Sequence, residues 1–200
     1  MAIYDASLSG RHIEADLANN EAARSGFFTL IVDDIDNIVK ASYSGDRENA
    51  SSEDKIARAQ EYLKLHVIAT SVPHFSLETL TFKRGNDTIK FAGTPTWTEG
   101  SIKVDDIVGL DTKSILMAWQ NLAYDVHSSK GGRMIDYKKK CTLAEYTQDY
   151  QLIRSWTLYG CWISNINESD FDRENDGKRQ LTATVEYDRA EMNLPDKVSA

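Results

Sequence analysis

Alternation of apolar and polar side chains near the C-terminal end constrains the fold of this chain most strongly. Over residues 180–188 the apolar set is Leu181, Ala183, Val185 and Tyr187, and the polar set is Gln180, Thr182, Thr184, Glu186 and Asp188. Successive side chains of a strand point to opposite faces, so this pattern predicts an antiparallel strand with one face buried and the other in water. A chain of 200 residues with 41% hydrophobic content can bury such a core within one domain.

Short apolar runs broken by turn residues predict further strands along the chain. The predicted strands are Gly26–Val32, 63–70, Leu77–Lys83, Thr88–Phe91, Trp97–Asp105, Met134–Tyr146, Leu152–Ile163 and Arg179–Asp188. Pro73 is expected to end the second of these strands, and Gly93-Thr94-Pro95 is expected to break the run after Phe91. Gly85 and Asn86 suit the tight turn of a hairpin.

Two helices are predicted between the strands. Ser51, with Asp54 three residues later, is typical of a helix N-terminus and indicates a short helix to about Tyr62. Asp111 is a plausible N-cap for a helix of about 15 residues. Its apolar residues fall at helical spacing on one stripe that we expect to face a sheet: Ile115, Trp119, Leu122 and Val126.

One domain with two flanking segments follows from this order. We expect an N-terminal arm over residues 1–26, a β domain over 27–190 with a loop and helix insertion at 35–62, and a C-terminal tail over 191–200. Trp156 and Trp162 share a parity on one predicted strand, and the opposite parity is nearly as apolar. Such a strand needs a cover on each face. The helix can provide one, and the other is either a second sheet of the same chain or a neighbouring subunit.

The charge balance excludes some function classes. A net charge of −8 argues against a protein that grips nucleic acid, because that binding needs many Lys and Arg side chains to neutralise phosphates. No apolar run approaches the roughly 20 residues that cross a bilayer, so no membrane insertion is expected. The N-terminal residues lack the basic and apolar regions of a signal peptide, which predicts a protein made and kept in the cytosol.

Residues that could carry chemistry are sparse. No phosphate-binding loop, serine-hydrolase or zinc-protease motif occurs, and the four His residues are scattered, so we predict no catalytic, metal or cofactor site. The acidic cluster at 33–36 lacks the spacing of a calcium loop and is interpreted as a solvated turn. Cys141 and Cys161 are either reduced buried thiols or a disulfide, within or between subunits, that forms once the protein is outside the reducing cell.

The only basic run allows two interpretations. Lys138, Lys139 and Lys140 cannot form one patch on a strand, because neighbouring side chains point to opposite faces. They are either a solvated strand edge that resists unwanted pairing or partners in salt bridges to an acidic neighbouring subunit.

Several motifs in order resemble one known family. The chain reads A-T-S-V-P ending at Pro73, then R-G-N with Gly85 and Asn86, then Gly93 and Trp97. Further on, Trp119 lies in the single long helix, Tyr137-Lys138-Lys139 begins a strand, and Trp156 to Trp162 form another. This order resembles the tail tube proteins of contractile phages over about Phe27–Tyr187. The chain departs from the family in the 35–62 region, in the arm before Gly26, and at Ile163-Ser164, where a proline is common.

The resemblance implies a mainly β fold with one flanking helix. Two packed antiparallel sheets would form a sandwich or barrel, and six subunits would close a ring whose inner sheets join as one continuous β-barrel. Stacked rings would form a tube, with arms and loops bridging the rings. The motif residues quoted above become structural or assembly candidates. Thr182, Thr184 and Glu186 become candidates for the lumen wall, where a polar or acidic lining would let DNA slide through.

The resemblance also implies partners and a location. These are other copies of the chain, the tail sheath protein, a baseplate hub that initiates the tube, a tape-measure protein and a tail terminator. DNA would pass through the lumen without specific binding, and the protein would belong to the virion tail after assembly in the host cytoplasm. The alternatives are a tube of a type VI secretion system or tailocin, a non-contractile phage tube, and a monomeric β-barrel that binds a small ligand or acts as a hydrolase.

Overall fold

A computed structural model describes residues 25–36, 38, 67–106, 112–168 and 177–194. The strands are β1 (Phe28–Val32), β2 (Val67–Thr70), β3 (Phe75–Arg84), β4 (Asp87–Trp97), β5 (Gly100–Asp105), β6 (Tyr124–Asp125), β7 (Lys130–Gly131), β8 (Lys139–Tyr146), β9 (Leu152–Glu168), β10 (Gln180–Glu186) and β11 (Arg189–Asn193). The helices are α1 (Thr112–Ala123) and the single turn α2 (Met134–Tyr137). Across these ranges no helix has the length and apolar content needed to span a membrane.

Two antiparallel sheets share the long strand β9. Sheet A has the order β1-β8-β9-β11 and uses the N-terminal half of β9. Sheet B has the order β9-β10-β5-β2 and uses the C-terminal half. The prediction of a mainly β fold with two packed antiparallel sheets and one long helix is confirmed.

A bend at Gly160 turns β9 from one sheet into the other. Gly160 has φ of +72°, a conformation that side chains with a Cβ rarely adopt. The pairing of β8 with β9 shifts register beside it, between Lys139 and Cys141. β9 has one more residue than β8 at this point, so its side chains exchange faces across the bend. Leu158 before the bend and Cys161 and Ile163 after it are therefore all buried. Trp156 and Trp162 therefore face opposite sides of their sheets, which corrects the shared face expected from their parity.

The core lies between the inner faces of the two sheets and beneath α1. Sheet A contributes Leu30, Val32, Cys141, Leu143 and Leu158, and sheet B contributes Ile102, Val104, Ile163, Leu181, Ala183 and Val185. The alternation predicted for 180–188 is confirmed, since Leu181, Ala183 and Val185 are buried and their neighbours along β10 are not. Ile35 and Ile38, from the predicted 35–62 insertion, also belong to this core, while residues 37 and 39–62 lie outside the described residues.

Helix α1 covers the edge of β9 that β8 leaves free. Ile115, Leu116 and Trp119 are buried against the core. The Gln120 side-chain amide donates a hydrogen bond to the backbone carbonyl of Ser164 at 3.0 Å, which satisfies one carbonyl of that edge. The helix ends at Ala123, where β6 begins, so Val126 is not on its apolar stripe and is 72% exposed. The predicted N-cap Asp111 lies outside the described residues.

β3 and β4 form a hairpin that prolongs the β2–β5 pair beyond sheet B. The two pairs are joined through residues 71–74 and 98–99, where Ser71 and Ser101 exchange hydrogen bonds and the Thr98 N–H donates to the His74 carbonyl. Ten residues of β3 extend about 33 Å at 3.3 Å per residue. We call this ribbon, residues 75–97, the hairpin, and the two sheets with α1 the body.

Four predicted boundaries differ from the structure. The break at Gly93–Pro95 does not occur, because β4 runs to Trp97 and the chain instead turns at residues 98–99. The segment Met134–Tyr137 is a helical turn before β8 rather than part of a strand. β9 extends to Glu168, five residues past its predicted end at Ile163. β11 continues past residue 190, so the predicted boundary of the β domain cuts through a strand.

Candidate assembly surfaces

Near its tip the hairpin has an apolar face that the body does not cover. Pairing across the ribbon places Leu80 opposite Phe91 and Phe82 opposite Ile89 on this face, which we call the apolar face of the hairpin. The opposite face carries small polar and charged residues near the tip, such as Thr79, Thr81, Lys83 and Lys90. The apolar pairs at the base, Phe75 with Trp97 and Leu77 with Pro95, also lie on that opposite face, because β3 alternates without interruption while the extra residue of the register shift falls on β4.

Four large side chains of this face are exposed to solvent. Leu80, Phe82, Ile89 and Phe91 are between 39% and 64% exposed. At roughly 150–200 Å² for a whole large apolar side chain, they expose on the order of 350 Å² together. That area is within the range of the largest apolar patch on a soluble monomer, and such patches often mark contact surfaces.

The turn of the hairpin follows the prediction. Arg84 pairs with Asp87, so Gly85 and Asn86 form a two-residue loop, and Gly85 has φ of +65°. A glycine at the first loop position matches the strand twist of a tight hairpin. Pro73 lies half-buried in the linker between β2 and β3, where it donates no ladder hydrogen bond. Pro73, Gly85 and Asn86, which carry part of the family resemblance, therefore lie at the base and the tip of the hairpin.

The outer face of sheet B carries the lumen candidates. Thr182, Thr184 and Glu186 lie on β10, half-buried, with their side chains opposite the core set. On β5, Ser101 and Lys103 pair with Thr184 and Thr182 and share their face. The face is a surface of hydroxyl and charged groups, and Glu186 is not in the core.

The basic run is bound within its own chain. Lys138 Nζ lies 2.7 and 2.8 Å from the two carboxylate oxygens of Asp188. Lys139 is buried, with a side chain only 4% exposed, and its Nζ lies 2.6 Å from Asp34 Oδ2. Lys140 is 3.9 Å from Asp33. β8 is paired on both sides, by β1 and β9, so the interpretation as a solvated strand edge is wrong. Salt bridges of these lysines to a neighbouring subunit stay a prediction.

Three aromatic residues that carry the family resemblance, Trp119, Tyr137 and Trp162, lie together beside α1. The Trp119 indole N–H donates to the Tyr137 carbonyl at 2.9 Å, and the Tyr137 ring contacts Trp162 edge to face at 5.9 Å. This contact fixes the C-terminal half of α1 against the start of β8 and the middle of β9. Trp156 lies elsewhere, on the inner face of sheet A, with the Arg154 guanidinium 5.8 Å from its ring centre. The resemblance residues thus serve three separate parts of the fold.

The two thiols are buried and lie close together. Cys141 and Cys161 are free cysteines in the core, and both line a small cavity between the sheets. A hydrogen bond with Cys161, together with burial, raises the pKa of the Cys141 thiol well above its usual value. In the part of the chain that the structure describes, no three His, Cys, Asp or Glu side chains are grouped so as to hold a metal ion.

The residues that sequence reasoning missed are the exposed ones on the hairpin. Phe82, Ile89 and Phe91 were assigned to strands, and their period-two spacing is visible in the sequence. That spacing indicates that one face is apolar, and it carries no information on which surface covers it.

Comparison with known proteins agrees with this fold. No protein-family model matches the sequence. Over 160 residues the chain is 23% identical to "Tail tube protein gp19" of Enterobacteria phage T4, and likewise to that of Enterobacteria phage T6; each alignment covers 76% of this chain and 98% of the relative.

Solved structures of contractile injection systems have the same fold. A chain of the PVC sheath–tube complex, an extracellular contractile injection system in its extended state, superposes with a TM-score of 0.62 at 15% identity, covering 90% of this chain and 97% of that one. A chain of the tube-terminating cap of the anti-feeding prophage gives 0.63 at 12% identity, covering 98% and 100%. The resemblance found in the sequence is thereby confirmed: this chain is similar in sequence to the tail tube proteins of contractile phages and has the fold of contractile injection system tubes.

Proposed function

We propose that this chain is the structural subunit of the tail tube of a contractile injection machine. Its copies close into hexameric rings, and the rings stack into a hollow conduit through which a phage genome is ejected into the host. The apolar face of the hairpin is the observation that carries this proposal. A projecting ribbon about 33 Å long with four exposed large apolar side chains on one face presents the kind of patch that marks a contact with another surface.

Self-association explains that surface better than a small ligand does. The exposed area is on the order of 350 Å² from four side chains, against roughly 800 Å² per partner in a standard protein interface. A ribbon that leaves one copy and docks on a different surface of the next makes a head-to-tail contact. Such contacts close into rings or continue as open filaments, which are the two symmetries that a tube combines.

The outer face of sheet B supports the assignment of the lumen wall. Thr182, Thr184 and Glu186, with Ser101 and Lys103 beside them, offer hydroxyl groups, one carboxylate and one lysine, which is not a dense basic patch. DNA phosphates find few cations there to bind, so a genome would pass without being retained. Glu186→Lys should then slow DNA release from assembled particles without preventing tube formation.

The role is mechanical, so no bond-making step is assigned to any residue. Solved assemblies with this fold include a sheath–tube complex, a tube-terminating cap and a baseplate. By analogy, the partners are a tail sheath, a baseplate hub that starts the tube, a terminator and a tape-measure protein. The protein would reside in the virion tail after assembly in the host cytoplasm. The second candidate is the tube of an extracellular injection system without a genome, which the PVC likeness favours.

Electron microscopy of the purified protein tests the proposal. We expect concentrated protein to form rings or hollow tubes of uniform diameter, and sedimentation to show the corresponding large species. Phe91→Asp places a charge on the apolar face of the hairpin and should abolish these species, while Thr81→Asp on the opposite face should leave them. A sharp monomer for the wild type in both measurements would contradict the proposal and favour a monomeric binding module.

A further inference from the structure

At one end of the sandwich, no described residue covers the inner face of sheet A. There, Phe28, Leu143 and Trp156 form the floor, and Ile68 and Val72 from β2 and the following linker form a wall. The groove encloses about 570 Å³. We call it the sandwich groove.

The sandwich groove is apolar inside and charged at its rim. Glu145 pairs with Arg154 at 2.7 Å, and Phe28 lies opposite Glu145 in the strand ladder. Arg154 also lies over the Trp156 ring. Ile68 and Val72 remain 42% and 55% exposed, so within the described residues the wall has no cover.

Two strand edges border the sandwich groove. β1 is the outer strand of sheet A and pairs only with β8, and β2 is the outer strand of sheet B and pairs only with β5, among the residues that the structure describes. An outer strand presents a row of backbone N–H and C=O groups that can pair with another chain. An extended apolar ribbon is the shape that a groove with these borders accepts.

We infer that the sandwich groove receives the apolar face of the hairpin from a second copy of this chain. The inference rests on the proposed function and names the contact by which neighbouring copies join. Both surfaces are apolar and both lack a cover among the described residues; one is a projecting ribbon and the other is a concave slot.

Charge favours the same occupant. The hairpin carries three basic residues, Lys83, Arg84 and Lys90, against two acidic ones, in a chain whose net charge is −8. A basic ribbon is therefore attracted to the acidic body of another copy. Because donor and acceptor are different surfaces, the contact is head to tail and each copy offers one of each.

Complementary defects test this pairing. Val72→Asp damages the sandwich groove and Phe82→Asp damages the hairpin; both side chains are more than half exposed, so both variants should fold, as thermal unfolding will verify. We expect each variant alone to raise the concentration needed for assembly by about tenfold or more. His74→Asp, in the same linker but outside the groove, and Thr81→Asp, on the polar face of the hairpin, are the matched controls and should assemble normally.

Mixing the two damaged variants gives the decisive result. Phe82→Asp keeps an intact groove and Val72→Asp keeps an intact hairpin, so together they can make one contact and should form a heterodimer in sedimentation. If Val72→Asp assembles like the wild type, or the mixture contains no heterodimer, the inference is wrong. Failure of the wild type itself to assemble would instead overturn the proposed function.

Discussion

The body and the hairpin are built from the same kind of strand and differ in what covers them. In β10 the residues Leu181 and Ala183 are fully buried, whereas Leu80 and Phe82 in β3, with the same alternate spacing, are 51% and 64% exposed. Local sequence pattern alone does not explain this difference. It arises because β10 lies under sheet A and α1, while the hairpin extends beyond both sheets. An alternating strand therefore specifies which of its faces needs a partner, and the fold decides whether that partner belongs to the same chain.

The strongest test of this contrast compares two leucine truncations. Leu181→Ala should lower the free energy of unfolding by about 3 kcal/mol, because it opens a cavity in the core. Leu80→Ala should change it by no more than about 0.5 kcal/mol in the dissociated monomer, where the side chain already meets water. Urea unfolding of both variants under non-assembling conditions measures the difference. An equal loss would show that the hairpin packs against its own body.

Substitution of two glycines with positive φ, one in the body and one in the hairpin, compares the backbone of the two regions. Gly160→Ala should cost about 2–3 kcal/mol, since φ is +72° and an added Cβ would meet the Asp188 carboxylate, which Lys138 holds in place. Gly85→Ala has the same kind of strain at φ +65°, but no atom lies within 4 Å of an added Cβ.

Gly85→Ala should therefore loosen the hairpin turn without shifting the unfolding transition of the body. Hydrogen exchange of hairpin amides, read beside urea unfolding, separates the two effects. A drop in body stability equal to that of Gly160→Ala would mean that hairpin and body unfold as one unit.

Surface ion pairs give the smallest expected effect. A hydrogen bond and charge attraction from Lys113, with Arg179 nearby, hold the pKa of Glu168 below its ordinary value of 4.5. A lowered folded pKa means that the pair stabilises the fold above the unfolded pKa and that this contribution is lost as pH falls through the folded pKa. Glu168→Gln should therefore be slightly less stable than the wild type at pH 7 and match it in acid.

Glu99→Gln, in the exposed turn at the hairpin base, is the matched control for the loss of one surface carboxylate. Thermal unfolding between pH 3 and pH 7 would compare both variants. If the stability difference between Glu168→Gln and the wild type grows as the pH falls, the folded pKa of Glu168 is not lowered and the prediction is wrong.

Much of the body was predictable from sequence because its strands have one wet face. The alternation at 180–188, the apolar run before Val32 and the spacing of Ile115 and Trp119 each correspond to elements of the structure. Errors occurred where one residue changes the local geometry. Gly160 reverses the facing of β9, and periodicity measured across it gave Trp156 and Trp162 a common face.

The Gly93–Pro95 segment shows a second limit. Gly and Pro usually interrupt strands, yet here Pro95 lies in a strand of a two-stranded ribbon. Each strand of such a ribbon has one unpaired edge, where a missing backbone N–H is tolerated. Gly93 is needed because an added Cβ would lie 3.0 Å from the Glu78 carbonyl oxygen, at the point where the pairing of β3 with β4 shifts register. The buried pair of Lys139 with Asp34 was also missed, since its partners are 105 residues apart and no spacing rule joins them.

The length of β9 has a mechanical consequence. Its seventeen residues measure about 56 Å along the strand, and this single strand belongs to both sheets. A push on one sheet is therefore carried to the other through covalent bonds as well as through side-chain contacts. For the sheets to slide past each other, the backbone would have to deform at Gly160, where Lys138 and Asp188 brace the bend. Each subunit thus behaves under load as one stiff part, so that an assembled column would yield first at the joints between subunits.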